Sequence, residues 1–594
     1  MNMASMLDSS EPIQLSSRFA KLKRNMIACR EKDVAESFYR LLRAIRREAD
    51  DIAARGSDVI PTIDYFDIHD REKAAHFRKE LRRTGVAVIK RVVPHTVAEA
   101  WKEETLEYIA DNPHEKGYSS QDPQFLDMYW SPSQVRARAD SRLLDAQRFA
   151  MGTWHASDEN ALVSADHPVV YADRVRVRTP DDASPAGSIH VDNGSVERWE
   201  PDGYGASRTY STVFSGRWED YDPWDSSPRL NITTDLYNRS GSCSMFRMFQ
   251  GFLSLSEHPA GSGALTVCPM LQLSTAYLLL RPFFTPRYKS PAGDMDIDMD
   301  MGGMGMGGTK KKKTELDFLH PNNWNMNVSQ TSVLHGAVPG YVQELSDGLH
   351  PHLQLHRTMV SVPDLEPGDY VIWHPDVVHA IDAAQPGVSS LINASLSPTP
   401  SYAPLTSSSS SLSTASSLSY PHIHSHSHAH SHVHPHLHTS PSTALYIPAC
   451  PLTQTNALYL ARQRRAFLLG LAAPDFSAAG SKAASEHDHA SRAGVQDVAD
   501  AGGERALRGM GLAPWEQETH SHSHSHSHSH TRSHSHHSLR HHERENSSGA
   551  GKEREAALVR LANGILFPDR FDGVLKKGGG KSGKAGKGGG AGGQ

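Results

Sequence analysis

The stretch Gly187-Ser-Ile-His-Val-Asp-Asn-Gly194 places His190 and Asp192 two residues apart, immediately before an Asn-Gly turn signal. In an extended strand, residues i and i+2 project from the same face, so the imidazole and the carboxylate can reach one point in space. Such a pair can supply two ligands to a metal ion. The stretch therefore predicts a metal-binding strand that ends at a turn.

A third ligand is found far downstream, in Pro367-Gly-Asp-Tyr-Val-Ile-Trp-His-Pro-Asp-Val-Val-His379. A turn there leads into an apolar strand at 370–373, and the short loop after this strand carries His379. Two histidines and one carboxylate on one face of a metal form the facial triad of non-haem iron(II) oxygenases, which leaves the other positions open for co-substrate and dioxygen. We expect His190, Asp192 and His379 to form such a site.

Two other interpretations of these residues stay open. A His-x-Asp pair also arises by chance in a chain with 37 histidines, where a histidine at a strand end more often caps a turn. In addition, His374, Asp376 and His379 form a rival triad. The rival is less favoured because Pro375 cannot donate to a sheet ladder and marks this segment as a turn.

Several low-complexity tracts interrupt the chain of 594 residues. A Met/Asp/Gly tract occupies 292–313, Ser/His tracts occupy 394–442 and 520–542, and a Gly/Lys tail begins at Lys576. Such compositions cannot bury enough apolar surface to offset the entropy of ordering. We expect these tracts to be disordered, so that the chain forms one large domain with insertions.

Charge, cysteine usage and hydropathy exclude several protein classes. The net charge of −6, with both signs mixed along the chain, provides no domain-scale basic field for nucleic acid. The four cysteines are widely spaced and include no Cys-x-x-Cys, which argues against a disulfide framework or a structural zinc site. No apolar run reaches the length of a membrane span. We expect a cytoplasmic protein without nucleic-acid or membrane partners, and its oligomeric state stays open.

Periodic patterns divide the chain into three parts. Residues 1–60 are predicted to be a helical segment, since apolar residues recur there at spacings of three and four. Residues 61–480 contain the predicted strands and the metal site, and an aromatic-rich stretch at 199–224 is expected to form a lid or a wall. Residues 481–594 are expected to be mostly disordered, with one amphipathic helix at 553–566.

The order of the motifs resembles that of a known enzyme family. The His190 stretch is followed by Phe246-Arg-Met-Phe-Gln-Gly-Phe-Leu-Ser-Leu255, by Ser262-Gly-Ala-Leu-Thr-Val-Cys-Pro269 and by the His379 stretch. This order is similar to that of the phytanoyl-CoA-hydroxylase type of iron(II)/2-oxoglutarate oxygenase. With Thr443-Ala-Leu-Tyr-Ile-Pro-Ala-Cys-Pro-Leu-Thr453 it resembles more closely the uncharacterised YbiU-like family placed in that fold.

The resemblance implies both a fold and an activity. The fold is an α+β architecture with a double-stranded β-helix core, a cupin-like jelly roll of two antiparallel sheets, flanked by helices and interrupted by the disordered insertions. The activity is that of an oxidoreductase, a non-haem iron(II)- and 2-oxoglutarate-dependent dioxygenase that hydroxylates a small molecule. Dioxygen and 2-oxoglutarate are the expected co-substrates, and the catalytic iron ligands are His190, Asp192 and His379.

One departure from the family pattern concerns the 2-oxoglutarate anchor. In the family, an arginine soon after the distal histidine binds the far carboxylate, whereas this position falls near Ser389 and Ser390, and no Lys or Arg lies between His379 and Arg462. We expect Arg247 or Arg462 to bind 2-oxoglutarate instead, although Arg247 can also be a structural ion-pair residue. The departure leaves a second function open, a non-catalytic jelly roll that binds a metal or a small carboxylate.

Overall fold

A computed structural model of the chain describes most of the predicted domain. The described residues are 12–113, 117–119, 122–179, 187–239, 242–263, 265–288, 314–381, 441–477, 485–515 and 549–570. The tracts predicted to be disordered at 292–313 and 520–542, the tail from Lys576, and the Ser/His tract up to residue 440 lie outside these residues. That second tract was predicted to extend to residue 442, but Ser442 already begins a strand.

The described strands form two main sheets. The strands are β1 (Thr62–Asp64), β2 (Val86–Lys90), β3 (Gly117–Ser119), β4 (Asp122–Leu126), β5 (Val163–Val169), β6 (Val175–Arg178), β7 (His190–Val191), β8 (Gln250–Ser254), β9 (Thr266–Cys268), β10 (Phe284–Pro286), β11 (Trp324–Met326), β12 (Gln343–Glu344), β13 (Val360–Ser361), β14 (Tyr370–Trp373), β15 (Val378–Ala380), β16 (Ser442–Tyr446) and β17 (Cys450–Thr453). The larger sheet has the order β1-β2-β14-β8-β16-β6-β4-β3, and the smaller has the order β12-β7-β15-β9-β13.

From β6 to β9, and again from β13 to β16, the chain alternates between these two sheets. Strands β6, β8, β14 and β16 belong to the larger sheet, whereas β7, β9, β13 and β15 belong to the smaller one. Their pairings β6–β16, β16–β8, β8–β14, β7–β15, β15–β9 and β9–β13 are all antiparallel. With the helices below, this arrangement confirms an α+β protein built on antiparallel sheets.

Strand β14 shows why the sequence pattern located the sheet well. It lies between β2 and β8 in the larger sheet, and all four of its residues are buried. A strand covered on both faces reads as a continuous apolar run, which is what Tyr-Val-Ile-Trp provides. The predicted strand at 370–373 is confirmed with the same bounds.

Helices cover the sheets. They are α1 (Arg18–Ile27), α2 (Glu31–Arg55), α3 (Arg71–Thr84), α4 (His95–Asp111), α5 (Pro132–Ala139), α6 (Ser141–Met151), α7 (Ser211–Phe214), α8 (Leu271–Leu280), α9 (Glu315–Leu319), α10 (Leu355–Thr358), α11 (Gln454–Leu469), α12 (Val495–Gly509) and α13 (Gly549–Leu566). No helix among the described residues is both long and apolar enough to cross a membrane.

The N-terminal helices share a core with the sheets. Phe38 on α2 is fully buried and stacks on Phe284 of β10, with ring centroids 3.8 Å apart. The side chain of Lys23 on α1 is also buried, where its ammonium donates to the carbonyls of Pro282 and Val333. The predicted helical segment is therefore present from residue 18 onward, and it packs as part of the same domain.

The aromatic stretch 199–224 is anchored to helices rather than lying free on the surface. The indole N–H groups of Trp199, Trp218 and Trp224 donate to backbone carbonyls of Leu279, Ser37 and Arg82, respectively. All three indoles are buried. Because these bonds tie the stretch to three helices, it belongs to the core.

Residues 485–515 are folded, although the sequence predicted disorder beyond residue 480. Helix α12 packs closely on α5, since a side chain at Gly502 would collide with the carbonyl of Ala139. Ahead of this helix, the buried carboxylate of Glu486 accepts hydrogen bonds from the backbone N–H groups of Tyr129 and Trp130. The prediction was wrong here because small residues give a weak apolar pattern while allowing a close approach between helices. The helix predicted at 553–566 is present and begins earlier, at Gly549.

Candidate metal centre

Strands β7 and β15 bring the three predicted ligands together. In their antiparallel register His190 lies directly opposite His379, and the two ring centroids are 4.4 Å apart. Asp192 follows β7 with its Oδ1 atom 3.3 Å from Nε2 of His190 and its Oδ2 atom 3.7 Å from Nε2 of His379. One potential ligand atom from each residue lies within 4.8 Å of the other two. His379 was predicted in a loop, but it lies in a short strand because both β7 and β9 pair with it.

Both histidines present Nε2 to this centre. Nδ1 of His190 lies 2.7 Å from the carbonyl oxygen of Ser188, and Nδ1 of His379 lies 2.9 Å from that of Val377. Each carbonyl can accept only from a protonated Nδ1, which leaves the Nε2 lone pair free in the neutral ring. A backbone acceptor on the far nitrogen is the usual support of a metal-binding histidine.

Burial and mutual charge set the protonation states in the centre. Burial, together with the charge of His190, lowers the pKa of His379 to about 4. Burial opposes ionisation of Asp192, but its hydrogen bond with His190 and the charge of His379 outweigh burial and hold the pKa well below its usual range. At neutral pH the centre therefore offers an ionised carboxylate and a neutral His379, the forms that bind metals.

A buried amide links the centre to an arginine. Gln250 on β8 donates from Nε2 to Oδ2 of Asp192, and its Oε1 accepts from Nη1 of Arg247 at 3.2 Å. Arg247 has no acidic partner within 4 Å among the described residues, and its buried Nε has no hydrogen-bond partner there. The structure therefore places Arg247 next to the centre, with no carboxylate partner in the described part of the chain.

The rival triad is contradicted by the positions of its members. Asp376 is buried between Arg198 and Arg229, which donate to its two carboxylate oxygens at 3.0 and 2.7 Å. His374 stacks on Trp154 at 4.7 Å between ring centroids and lies within hydrogen-bond distance of a backbone carbonyl. Among the described residues, His190, Asp192 and His379 are the group with metal-binding geometry.

Comparison with known proteins identifies the family. The sequence model of a family described as Gig2-like matches residues 13–512. The chain belongs to the Gig2-like family. The uncharacterized protein YbiU of Escherichia coli (strain K12) is 30% identical to this Gig2-like chain over 346 residues, which span 56% of this chain and 71% of YbiU. The predicted resemblance to the YbiU-like family is confirmed, and the match of the family model extends into the folded segment 485–515.

Solved structures of similar proteins agree with this fold. The crystal structure of GlcNAc Inducible Gene 2 from Candida albicans matches this Gig2-like chain with a TM-score of 0.67 and 24% identity, covering 96% of this chain and 99% of that one. A hypothetical protein from Escherichia coli matches with a TM-score of 0.58 and 26% identity, covering 82% of this chain and 96% of that one. The fold is thus shared across most of the length of both proteins.

Arg462, the second residue predicted to bind 2-oxoglutarate, lies on the surface of this Gig2-like chain. It is exposed on α11, where its guanidinium covers the ring of Tyr459 at 5.3 Å. No described contact connects it with the metal centre. The structure thus brings Arg247, and not Arg462, to the centre, and the co-substrate role of either residue stays a prediction.

Two residues near the centre were missed in the sequence. Gln250 hydrogen-bonds Asp192, and Trp373 lies directly opposite Gln250 in the larger sheet, with its ring centroid 5.5 Å from that of His379. The indole N–H of Trp373 is buried and has no hydrogen-bond partner among the described residues. The available signal was a single amide within the apolar run of residues 246–255, since a buried polar group needs a partner.

Proposed function

We propose that this Gig2-like protein is a non-haem iron(II)- and 2-oxoglutarate-dependent dioxygenase that hydroxylates a small molecule. The observation that carries the proposal is the convergence of His190, Asp192 and His379, with both histidines presenting Nε2 and with Nδ1 held by backbone carbonyls. Two histidines and one carboxylate that leave open positions are the ligand set of this enzyme class.

The arrangement of the strands supports the same proposal. Eight strands alternating between two antiparallel sheets are the arrangement expected of a double-stranded β-helix, a jelly roll. We infer that β6 to β9 and β13 to β16 form this barrel. The ligands then come from two neighbouring strands of the smaller sheet, β7 and β15, and from the turn that follows β7.

The residues present fit iron(II). The centre combines two imidazoles with one carboxylate. Close by lie the buried donors Arg247 Nε and Trp373 Nε1, which have no partner among the described residues and can hold an anionic ligand. With iron(II), 2-oxoglutarate and dioxygen bound, the metal centre would oxidise the substrate. Asp192 supplies the negative charge that holds the cation, and the two imidazoles fix its position.

Arg247 is the residue that we propose binds the far carboxylate of 2-oxoglutarate. A guanidinium can donate two parallel hydrogen bonds to a carboxylate, and such charge-assisted bonds are stronger than neutral ones. Because no acidic side chain within 4 Å satisfies Arg247 in the described part of the chain, it is available for this bond. Its position beside Gln250 of the larger sheet supports this role, which in related enzymes belongs to an arginine soon after the distal histidine.

The test is 2-oxoglutarate-dependent formation of succinate by the full chain with iron(II) and ascorbate. Wild type should form succinate even without a known substrate, and Asp192→Ala should abolish it while leaving the far-ultraviolet circular dichroism unchanged. Asp166→Ala, which removes an exposed carboxylate, is the matched control. No succinate with iron(II), together with glutarate binding that is unaffected by Asp192→Ala, would instead support the non-catalytic binding protein.

A further inference from the structure

The amide of Gln250 lies between Asp192, the anionic member of the proposed metal centre, and the guanidinium of Arg247. It is buried, 7% exposed, and its strand is fixed on both sides, by Trp373 of β14 in the ladder and by the bridge between Phe249 and Ala449. The protein, and not solvent, therefore sets the position of this side chain. A side chain held in this way can transmit the position of one partner to the other.

An amide satisfies both of these hydrogen bonds. The carboxylate of Asp192 only accepts hydrogen bonds and the guanidinium of Arg247 only donates them, so the side chain between them must both donate and accept. Gln250 does so, with Nε2 toward Asp192 and Oε1 toward Arg247. A carboxylate at this position would repel Asp192, and an alkyl group would make neither hydrogen bond.

The backbone that carries Arg247 is also fixed. Asn456, at the start of α11, accepts from the N–H of Phe246 and donates to its carbonyl, both at 2.8 Å. Its amide also donates to the carbonyl of Pro451 at 2.8 Å. The side chain of Arg247 therefore projects from a rigid backbone segment. Among the described residues, Gln250 is the hydrogen-bond partner of its guanidinium.

We propose that Gln250 is a positioning residue that holds Asp192 in the orientation for metal binding and is itself held in the correct amide orientation by Arg247. The proposal rests on the metal centre assigned under the proposed function, but it needs no turnover. Partners that orient a metal ligand contribute about 10- to 100-fold to metal affinity. Through Gln250, the same arginine that we assign to 2-oxoglutarate also supports the metal ligand.

The test is equilibrium binding of Mn²⁺ to the full chain, followed by electron paramagnetic resonance of the free ion. Mn²⁺ favours sites with oxygen ligands, so it binds the Ser/His tracts less than nickel, copper or zinc does. Gln250→Met keeps the length of the side chain and removes both hydrogen bonds, and we expect its Kd for Mn²⁺ to rise about 10- to 100-fold. Gln147→Met, a buried glutamine that donates to the carbonyl of Pro448, is the matched control and should bind as wild type does.

A double-mutant cycle separates positioning from general damage. Arg247→Met should weaken Mn²⁺ binding, and the double variant Arg247→Met/Gln250→Met should bind no more weakly than Gln250→Met alone, because the arginine acts through the amide. Unchanged Mn²⁺ affinity in Gln250→Met, or fully additive effects in the double variant, would overturn the proposal. Mn²⁺ binding that depends on Gln250 in a protein without succinate formation would keep this inference while the dioxygenase proposal fails.

Discussion

Removal of the Asp376 carboxylate should destabilise the whole domain. This carboxylate accepts from Arg198 at 3.0 Å and from Arg229 at 2.7 Å, and none of the three side chains is more than 3% exposed. Arg198 follows the His190 stretch closely and Asp376 precedes His379 by three residues. The cluster therefore joins both ligand-bearing parts of the chain at a site where water cannot replace a lost partner.

The size of the effect follows from this burial. Breaking a buried ion pair by removing one partner costs about 3–5 kcal/mol, because the remaining charge stays buried without compensation. Asp376→Asn leaves two guanidiniums facing one neutral amide, so we expect the free energy of unfolding to fall by about 4 kcal/mol. In the exposed pair of Lys32 and Glu36, Glu36→Gln should cost no more than about 0.5 kcal/mol.

Urea denaturation at pH 7, followed by tryptophan fluorescence, measures this difference. Burial alone would raise the pKa of Asp376, but the charges of Arg229 and Arg198 outweigh it and hold the pKa well below the ordinary value of 3.8. The carboxylate therefore stabilises the fold above about pH 4, and this contribution is lost as the pH falls further. If Asp376→Asn lowers the free energy of unfolding by less than about 1 kcal/mol at pH 7, this reasoning is refuted, because the cluster would then behave as a solvated ion pair.

Three further changes test other parts of the structure. Burial raises the pKa of Glu486 from 4.5 to about 7, so the wild-type fold should lose about 3 kcal/mol of stability as the pH rises from about 4.5 to 7, and urea midpoints of Glu486→Gln should lack this slope. Arg247→Ala should raise the KM for 2-oxoglutarate at least tenfold in the succinate assay, because a charge-assisted contact worth about 1.5–3 kcal/mol is lost. Equal effects of Arg247→Ala and the surface change Arg462→Ala would contradict the assignment. Replacing residues 394–440 by a short Gly/Ser linker should leave the urea midpoint and Mn²⁺ affinity unchanged, because the strands on either side pair with other elements; insoluble protein would count against it.

The sequence located the candidate ligands His190 and Asp192 because their signal is local. The two-residue spacing of His190 and Asp192 follows from the side-chain period of a strand, and the buried strand 370–373 appears as a continuous apolar run. Both depend on neighbours in the chain, so they could be read without knowing the fold. The same is true of the N-terminal helices, whose apolar spacing matches one helical face.

Contacts between distant segments could be decided only by the tertiary structure. The pairing of β7 with β15 sets His379 opposite His190, and the packing of the two sheets brings Gln250 to Asp192 and leaves Arg462 on the surface. Segment 485–515 folds because its small residues fit a surface made by other helices, which its own composition does not reveal. Register and packing depend on residues far apart in the chain, whereas periodicity records only which face of an element is apolar.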